Sequence, residues 1–311
     1  MDKLKDTSVI KFHSNTLQLV RKELGLDQAG MIDQSLLGVD QWLEKQHHIR
    51  KKDFSNEYKE RMLISCKGSV ERVKLKLDKM CTCRTLLPQF FDTFDVDVDY
   101  EPYRGQIIDA FLPRLTPNNE RVIFIKNNGI KGNDLMGYYK RFVKIVEYMK
   151  QYDYSLGVHI VCDYTDMNIV EFASKLNLVE LQHCVAILID ALTMRMKSLR
   201  CITKSKFIEL IMTVFKQVLS AKLGQRLFVH HSIEDMYEAF PKSMLPKEYG
   251  GDEKSLKELN DDLSKALTSE EFVSYLKEMS QAVTNEELRS KVSYNEQVMG
   301  MPGSFRKLAV D

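Results

Sequence analysis

The stretch GVHIVCDY, residues 157–164, sets the fold class of this chain. Val158, Ile160 and Cys162 are alternate residues, so they lie on one face wherever the chain is extended. Three other short runs are also rich in β-forming residues: RVIFIK (121–126), LRCIT (199–203) and QRLFVHH (225–231). Helical, apolar-periodic segments separate the four runs. Strands that alternate with helices predict an α/β domain with a mostly parallel sheet and right-handed crossovers.

The residues before this region have a different pattern. From about 14 to 91 the apolar spacing is helical, with Ser69 as a candidate N-cap and Pro88 ending the last helix. The acidic, proline-bearing segment DTFDVDVDYEPYRG that follows indicates a domain junction. The sequence therefore predicts three parts: an all-helical N-terminal module at 1–92, an α/β domain at 93–255, and a helical extension and tail at 256–311.

Composition excludes several classes of protein. The 45 Lys and Arg balance 44 Asp and Glu, which argues against a surface built as a whole for nucleic acid. The N-terminal sequence MDKLKDTSVIKF does not resemble a signal peptide, and runs such as VAILIDAL are too short for a membrane span. The six cysteines form no C-x-x-C pair and the seven histidines no H-x-x-x-H pair. These features predict reduced thiols in the cytoplasm and no metal site.

Motifs for catalysis are weak. No strand is followed by G-x-G-x-x-G, by G-x-x-x-x-G-K-[ST] or by a G-x-S-x-G elbow. A hydrolytic set can be assembled from Asp163, His230 and Ser205, and a small-molecule hydrolase is therefore one hypothesis. Acids at strand ends are more typical of turns, however, and a histidine at the end of a β-run commonly just closes the strand. The pattern favours a protein without catalytic residues.

Two neighbouring segments point to a lipid surface instead. The helix KFIELIMTVFKQVL, residues 206–219, is apolar over more than the arc of about 100° that packing on a sheet requires. It either packs on neighbouring helices or forms a lid over an apolar cavity. Basic residues precede it in TMRMKSLRCITKSK (193–206), and Lys222 and Arg226 follow it. Cations beside an apolar helix are typical of proteins that bind anionic membranes.

These segments, together with CKGSVERVKLKLDKMCTCRTLLPQFF (66–91) and FPKSMLPKEYGG (240–251), resemble the CRAL-TRIO lipid-transfer family. The resemblance covers about residues 14–285 and is greatest to the α-tocopherol transfer protein and retinaldehyde-binding protein branch, in an insect-type member. Within FPKSMLPKEYGG, Gly250 and Gly251 predict a turn with unusual backbone angles.

The resemblance implies a non-catalytic carrier without a cofactor. Such a protein holds one hydrophobic ligand, for example α-tocopherol, a retinoid or another terpenoid, and exchanges it at phosphoinositide-containing membranes. It implies a cytoplasmic monomer that binds membranes transiently. Transfer of phospholipid or phosphatidylinositol, or a scaffold that senses lipid, remains an alternative.

The resemblance also implies site residues by position. The mobile gate corresponds to residues 205–219, and a basic cleft for phosphoinositide head groups corresponds to Arg195, Lys197, Lys222 and Arg226. The pocket-lining positions are Val158, Ile160, Cys162, Ile187, Leu188, Leu192, Met194 and Leu199, with Phe207, Ile211, Val214 and Phe215 as the inner face of the gate. The chain departs from the family at ERMLISCK (60–67), where relatives are arginine-rich and only Arg61 and Lys67 are basic here.

Overall fold

The structure is a computed structural model that describes residues 4–289. Residues 1–3 of the predicted N-terminal module and residues 290–311 of the predicted C-terminal extension lie outside the described residues.

The described chain begins with helices, continues as alternating strands and helices, and returns to helix. Its helices are α1 (Thr16–Glu23), α2 (Met31–Glu44), α3 (Asn56–Ser65), α4 (Val70–Leu86), α5 (Val96–Tyr100), α6 (Met136–Tyr152), α7 (Ile169–Lys175), α8 (Leu178–Ala186), α9 (Ile208–Val218), α10 (Ala221–Gly224), α11 (Leu256–Leu267) and α12 (Glu270–Met279). Its strands are β1 (Ile107–Leu112), β2 (Arg121–Asn127), β3 (Val158–Asp163), β4 (Met196–Ile202) and β5 (Leu227–His230).

The strands form one sheet in the order β1-β2-β3-β4-β5. Strands β2 to β5 are parallel to their neighbours, which confirms the predicted fold class, and β1 is antiparallel to β2. Strand β1 was not predicted from the sequence. Its segment IIDAFL carries Asp109 in the middle of the apolar run, and this carboxylate is fully buried against Arg141 of α6 at 2.7 Å. A buried charge is retained there because its partner is buried with it.

The two faces of the sheet have different coverings. Side chains alternate between the two faces along each strand. On one face, residues such as Ile123 and Ile160 point into the larger core that α6 and the N-terminal helices share. On the other face, residues such as Phe124 pack against the exit segment at residues 240–251 and against α11. The ring of Tyr249 in the exit segment packs in a tilted arrangement on the ring of Phe124, with 4.5 Å between the ring centroids, and its hydroxyl donates to Asp163 at 2.7 Å. The exit segment therefore seals one face and leaves the other for the site.

The two glycines of the exit segment are required for different reasons. Gly250 has a φ of 72°, which confirms the predicted unusual backbone angle at that position. Gly251 instead allows a close approach, because a Cβ there would lie 1.8 Å from the carbonyl oxygen of Leu245. This contact brings Leu245 back onto the sheet, where it is fully buried.

The N-terminal helices pack directly on the α/β part. Ser69 caps α4, as predicted, by accepting a hydrogen bond from the backbone of Arg72 at 3.4 Å. On the same helix, Arg84 forms a buried ion pair with Glu147 of α6. Apolar residues of the N-terminal helices, among them Met62 and Leu77, belong to the same core as the sheet. The helical module is therefore held by both apolar and ionic contacts.

The helical segment that separates the β-runs at 157–164 and 199–203, VEFASKLNLVELQHCVAILIDAL, is divided into two helices. Asn177 accepts hydrogen bonds from the backbone of Val179 and Glu180, and this cap starts α8 as a new helix. Helix α8 then passes into a π-helical turn, Ile187–Ala191. Within residues 4–289 no single helix is long and apolar enough to cross a membrane. One pair bent by 80°, Ile169–Lys175 with Leu178–Ala191, meets the length and composition required.

Candidate functional site

An apolar cavity of about 150 Å³ lies between the sheet and helices α6 to α9. Its lining residues are Ile107, Ile125, Asn127, Ile130, Leu135, Tyr138, Tyr139, Phe142, Ile160, Cys162, Tyr164, Phe172, Leu176, Leu181, Cys184, Val185, Leu188, Ile189, Met194, Met196, Leu199, Phe215 and Leu219. None of these described residues is charged or a histidine. The cavity is therefore a site for an uncharged, mostly apolar molecule.

Half of the twelve predicted pocket positions line the cavity, and the other half lie elsewhere. Six of them line the cavity: Ile160, Cys162, Leu188, Met194, Leu199 and Phe215. Four others are buried in the surrounding core without lining it: Val158, Ile187, Leu192 and Ile211. Val214 is partly buried beside them. Phe207 lies outside, with 59% of its surface exposed, because it precedes the first turn of α9 and is one residue out of phase with the inward face.

Helix α9, within the predicted gate, carries apolar side chains on two sides. Ile208, Ile211 and Met212 are buried, and Phe215 reaches the cavity wall. Leu210 is 44% exposed on the outside. Helix α9 therefore has more apolar surface than packing on one side requires, and part of that apolar surface faces solvent.

A cleft of about 450 Å³ lies next to the cavity and is rich in cations. All four residues predicted for the basic cleft line it: Arg195, Lys197, Lys222 and Arg226. Three cations from the N-terminal helices join them: Lys67, Arg72 and Lys76. Arg72 and Lys76 were not predicted from the sequence as residues of the cleft. Their spacing of four on the Ser69-capped helix was the available signal, because it places both on one face.

Arg61, the other basic residue kept in the departing segment, does not line the cleft. Its guanidinium is buried, donates to the carbonyl of Lys150 at 2.6 Å and lies over the ring of Tyr154. It fastens α3 to the end of α6. Of the two basic residues in this segment, Lys67 alone reaches the cleft.

The cations of the basic cleft repel one another. The pKa of Lys67 is lowered, chiefly by the positive charge of Arg195 and then by desolvation and the other neighbouring cations. Lys67 also has a φ of 56°, and Thr193 at the same cleft has a φ of 54°. A β-branched residue in this left-handed region is strained, and such strain is commonly found at binding sites. Binding of a multiply charged anion would relieve the repulsion.

The cations differ in the partners they already have. Lys197 pairs with Glu120 at 2.5 Å, and Arg226 donates to the carbonyl of Met196. The Nη1 group of Arg195 is buried and has no partner within residues 4–289. Lys222 is exposed and, over the same range, forms no ion pair. Of the four cations predicted for the cleft, Arg195 and Lys222 are therefore the most available to a ligand.

A local irregularity of the sheet positions Lys197. Val158 pairs with Met196 and His159 with Ser198, so Lys197 is the extra residue of a bulge at the start of β4. Gly157 makes room for the side chain of Lys197, because a Cβ atom on residue 157 would lie 2.8 Å from the Cε atom of Lys197. The bulge turns this lysine toward the cleft.

The cavity and the basic cleft share a wall. Ile189 of the π-helical turn, Met194 and Met196 line both of them. A side chain that moves in one space therefore changes the shape of the other.

The residues of the hydrolase hypothesis are engaged separately. Asp163 accepts from Tyr249, His230 contacts Arg200 at 3.1 Å, and the hydroxyl of Ser205 accepts from the backbone of Phe207. No hydrogen bond described for residues 4–289 joins any two of the three. Within the same residues, no group of His, Cys, Asp and Glu side chains could hold a metal ion.

Comparison with known proteins agrees with this architecture. The CRAL/TRIO domain family matches residues 110–251. Proteins named alpha-tocopherol transfer protein-like from Pongo abelii and Homo sapiens are each 23% identical over 198 residues, 61% of this chain and 57% of theirs. The chain thus matches little more than half the length of these relatives. A mouse protein of the same name is 28% identical over 96 residues, 30% of this chain and 28% of that protein.

A solved structure, the crystal structure of Sfh5, matches with a TM-score of 0.44 at 11% identity, over 86% of this chain and 96% of that one. The family match begins within β1 and ends at Gly251 of the exit segment, so it contains every strand-borne residue of the cavity wall except Ile107. Residues 110–251 of this chain thus match the CRAL/TRIO domain family, and the chain is similar in sequence to the proteins named alpha-tocopherol transfer protein-like.

Proposed function

We propose that this protein is a non-catalytic carrier that holds one hydrophobic molecule in the apolar cavity and exchanges it at phosphoinositide-containing membranes. The observation that carries the proposal is the wall of Ile189, Met194 and Met196, which an apolar cavity and a cation-rich cleft have in common. Exchange at an anionic membrane requires a site for the lipid cargo next to a site that binds anionic head groups. The names of the relatives are consistent with a tocopherol-like cargo.

The lining of the cavity favours an apolar cargo over a phospholipid. A phosphate buried there would need cations, and none is present among the described lining residues. Pockets for drug-sized ligands usually have volumes of about 300–1,000 Å³, so a cavity of about 150 Å³ must expand to hold a full cargo. Helix α9 is the element we propose moves, since Phe215 is in the wall and the helix lies at the surface.

The energy of the cargo explains why exchange takes place at a membrane. Each buried methylene contributes about 0.8 kcal/mol, so a molecule with sixteen carbons gains on the order of 10 kcal/mol. Escape into water at that cost is slow. A bilayer offers the cargo an equivalent apolar environment and lets α9 open without exposing its inner face to water.

Docking would use both outward features of this region. Phe207 and Leu210 are exposed apolar residues on the gate, and Lys222 is an exposed cation at the cleft beside it. Each basic residue near an anionic surface contributes about 1 kcal/mol. A phosphoinositide head group in the basic cleft would add charge-assisted hydrogen bonds from Arg195, and we propose that it biases α9 toward opening.

The location follows from the same proposal. All six cysteines are buried as free thiols, which suits the reducing cytoplasm, and binding to membranes is transient.

The proposal is tested by reversing one exposed cation of the cleft that forms no ion pair within residues 4–289. Lys222→Glu is compared with Lys265→Glu, an exposed lysine on α11 at the opposite edge of the sheet. The assays are binding to phosphatidylcholine vesicles with and without phosphatidylinositol phosphates, and transfer of α-tocopherol or retinal between vesicles. We expect Lys222→Glu alone to weaken binding and transfer several-fold, while affinity for the cargo stays the same.

Three results would be decisive. Loss of cargo binding with normal vesicle binding contradicts the proposed division of roles. Normal vesicle binding in Lys222→Glu contradicts the role of the cleft. Binding of cargo and vesicles without any transfer indicates a lipid sensor rather than a carrier. Mass spectrometry of the solvent extract of the purified protein identifies the molecule that it retains.

A further inference from the structure

Two tyrosine hydroxyls at the apolar cavity have no hydrogen-bond partner. Tyr138 and Tyr139, successive residues of α6, both line the cavity. Their phenol oxygens are buried, and neither bonds to any group within residues 4–289. Tyr139 as a whole is only 6% exposed. Buried hydroxyls in folded proteins almost always have a partner, so each exception calls for an explanation.

Other buried tyrosines nearby show that unpartnered hydroxyls are not general in this fold. Tyr103 donates to the carbonyl of Asp134 at 2.8 Å, and Tyr100 donates to the carbonyl of Ile107. Tyr249 donates to Asp163 at 2.7 Å. None of these three lines the cavity. The hydroxyls left without a protein partner are thus those of two tyrosines that border the space proposed for the cargo.

The surroundings of the two phenols oppose their ionisation. Burial, then the charge of Asp109, raises the pKa of Tyr138. Burial is also the main cause that raises the pKa of Tyr139. Both phenols therefore stay neutral at physiological pH and can donate a hydrogen bond to an acceptor.

We propose that the cavity selects an uncharged lipid bearing a carbonyl, ether or hydroxyl oxygen, which accepts a hydrogen bond from Tyr138 or Tyr139. This inference rests on the proposed carrier function and specifies the chemistry of the cargo. A pure hydrocarbon would leave both donors unpaired and is disfavoured. A fatty-acid anion is disfavoured as well, because the lining residues of the described chain include no cation to replace its lost hydration.

The test uses four sixteen-carbon probes: hexadecane, cetyl alcohol, methyl tetradecyl ketone and palmitate. Their affinities are measured by displacement of a polarity-sensitive dye from the purified protein. The alcohol and the ketone are expected to bind the wild type about tenfold tighter than hexadecane, since one buried hydrogen bond is worth about that factor. Palmitate is expected to bind more weakly than the alcohol.

Variants assign the preference to the phenols. The Tyr138→Phe, Tyr139→Phe double variant removes only two oxygens that have no partner, so it should be as stable as the wild type. In it the alcohol-to-hexadecane ratio is expected to fall to near one through loss of alcohol affinity. Tyr103→Phe is the matched control, because that hydroxyl has a protein partner and lies outside the lining, and it should keep the wild-type ratio.

The outcomes separate this inference from the function on which it rests. If no probe binds, the carrier function itself fails. If hexadecane binds the wild type as tightly as the alcohol, or if palmitate binds best, the carrier function stands and the proposed selectivity is overturned. An unchanged ratio in the double variant overturns the assignment to Tyr138 and Tyr139.

Discussion

The ammonium of Lys76 on α4 lies 2.9 Å from the carboxylate of Asp190 in the π-helical turn. Lys79, one turn further along α4, holds the other oxygen of this carboxylate at 3.0 Å. The turn held in this way contains Leu188 and Ile189, which line the cavity, while Lys76 itself lines the basic cleft. One ion-pair cluster thus fixes the position of the cavity wall and involves a cation that an anionic ligand could attract.

Replacing Asp190 by Asn should therefore act at both places. The freed Lys76 and Lys79 add positive charge at the cleft, so binding to phosphoinositide-containing vesicles should become several-fold tighter. Stability should fall by no more than about 1 kcal/mol, because Asp190 is partly exposed. Vesicle binding and urea unfolding measure the two effects. Weaker vesicle binding would show that the ordered turn matters more than the released charge.

Glu120 predicts a specific dependence of stability on pH. Burial alone would raise its pKa, but hydrogen bonds from His159 and Lys197 outweigh this and lower it to about 2, from an ordinary 4.5. A lowered pKa means that the ionised side chain stabilises the fold above pH 4.5, and that this contribution is lost as the pH falls from 4.5 toward 2. The difference in unfolding free energy between wild type and Glu120→Gln should shrink over that interval. A constant difference would exclude the ion pairs as its source.

The buried pair of Asp109 and Arg141 should dominate the stability of the β1 edge. Both side chains are fully buried, and Asn260 of α11 also donates to Asp109, at 3.2 Å. Asp109→Ala leaves a buried guanidinium without its counter-ion and should cost about 3–5 kcal/mol. The control is Asp261→Ala, which removes a half-exposed i,i+4 pair with Lys257 and should cost about 0.3–0.5 kcal/mol. Similar losses in both variants, measured by chemical denaturation, would refute this ranking.

The outer face of the gate should matter for membranes and not for the cargo. Phe207 and Leu210 are 59% and 44% exposed. Changing both to Ser removes apolar surface that a bilayer would bury, each side chain being worth up to about 1.5–3 kcal/mol, so vesicle affinity should fall about tenfold. Leu37→Ser on α2, at 56% exposure, is the matched control. Equal effects of the two changes on vesicle binding would argue against docking through α9.

The sequence predicted those parts of the fold that local patterns encode. Alternation in GVHIVCDY and the other β-runs predicted the parallel strands, and Ser69 predicted the start of α4. Strand β1 was missed because the buried Asp109 interrupts its apolar pattern, and its partner Arg141 is 32 residues away. The break before α8 was missed because Leu176 and Asn177 can both occur inside a helix. Only the structure shows that the side chain of Asn177 caps a new helix.

The cations of the basic cleft were predicted where the family resemblance assigned them by position, at Arg195, Lys197, Lys222 and Arg226. Arg195 and Lys197 flank the start of β4, so their convergence was visible in the sequence. Arg72 and Lys76 reach the same cleft through the packing of α4 on the π-helical turn, which no local pattern specifies. Phe207 was predicted to face inward because it lies four residues before Ile211, but it precedes the first turn of α9, and Ile208 is the buried residue there.

The wall of Ile189, Met194 and Met196 has a thermodynamic consequence. If a head group in the cleft shifts these side chains and changes the affinity for cargo by some factor, the cargo must change the affinity for the head group by that same factor. Methionine side chains are suited to a wall shared by two sites, because they are unbranched and repack at little cost in free energy. The loaded and empty forms of the protein would then differ in how long they reside on a membrane, so the phosphoinositide content of a membrane would affect how readily cargo is loaded or released there.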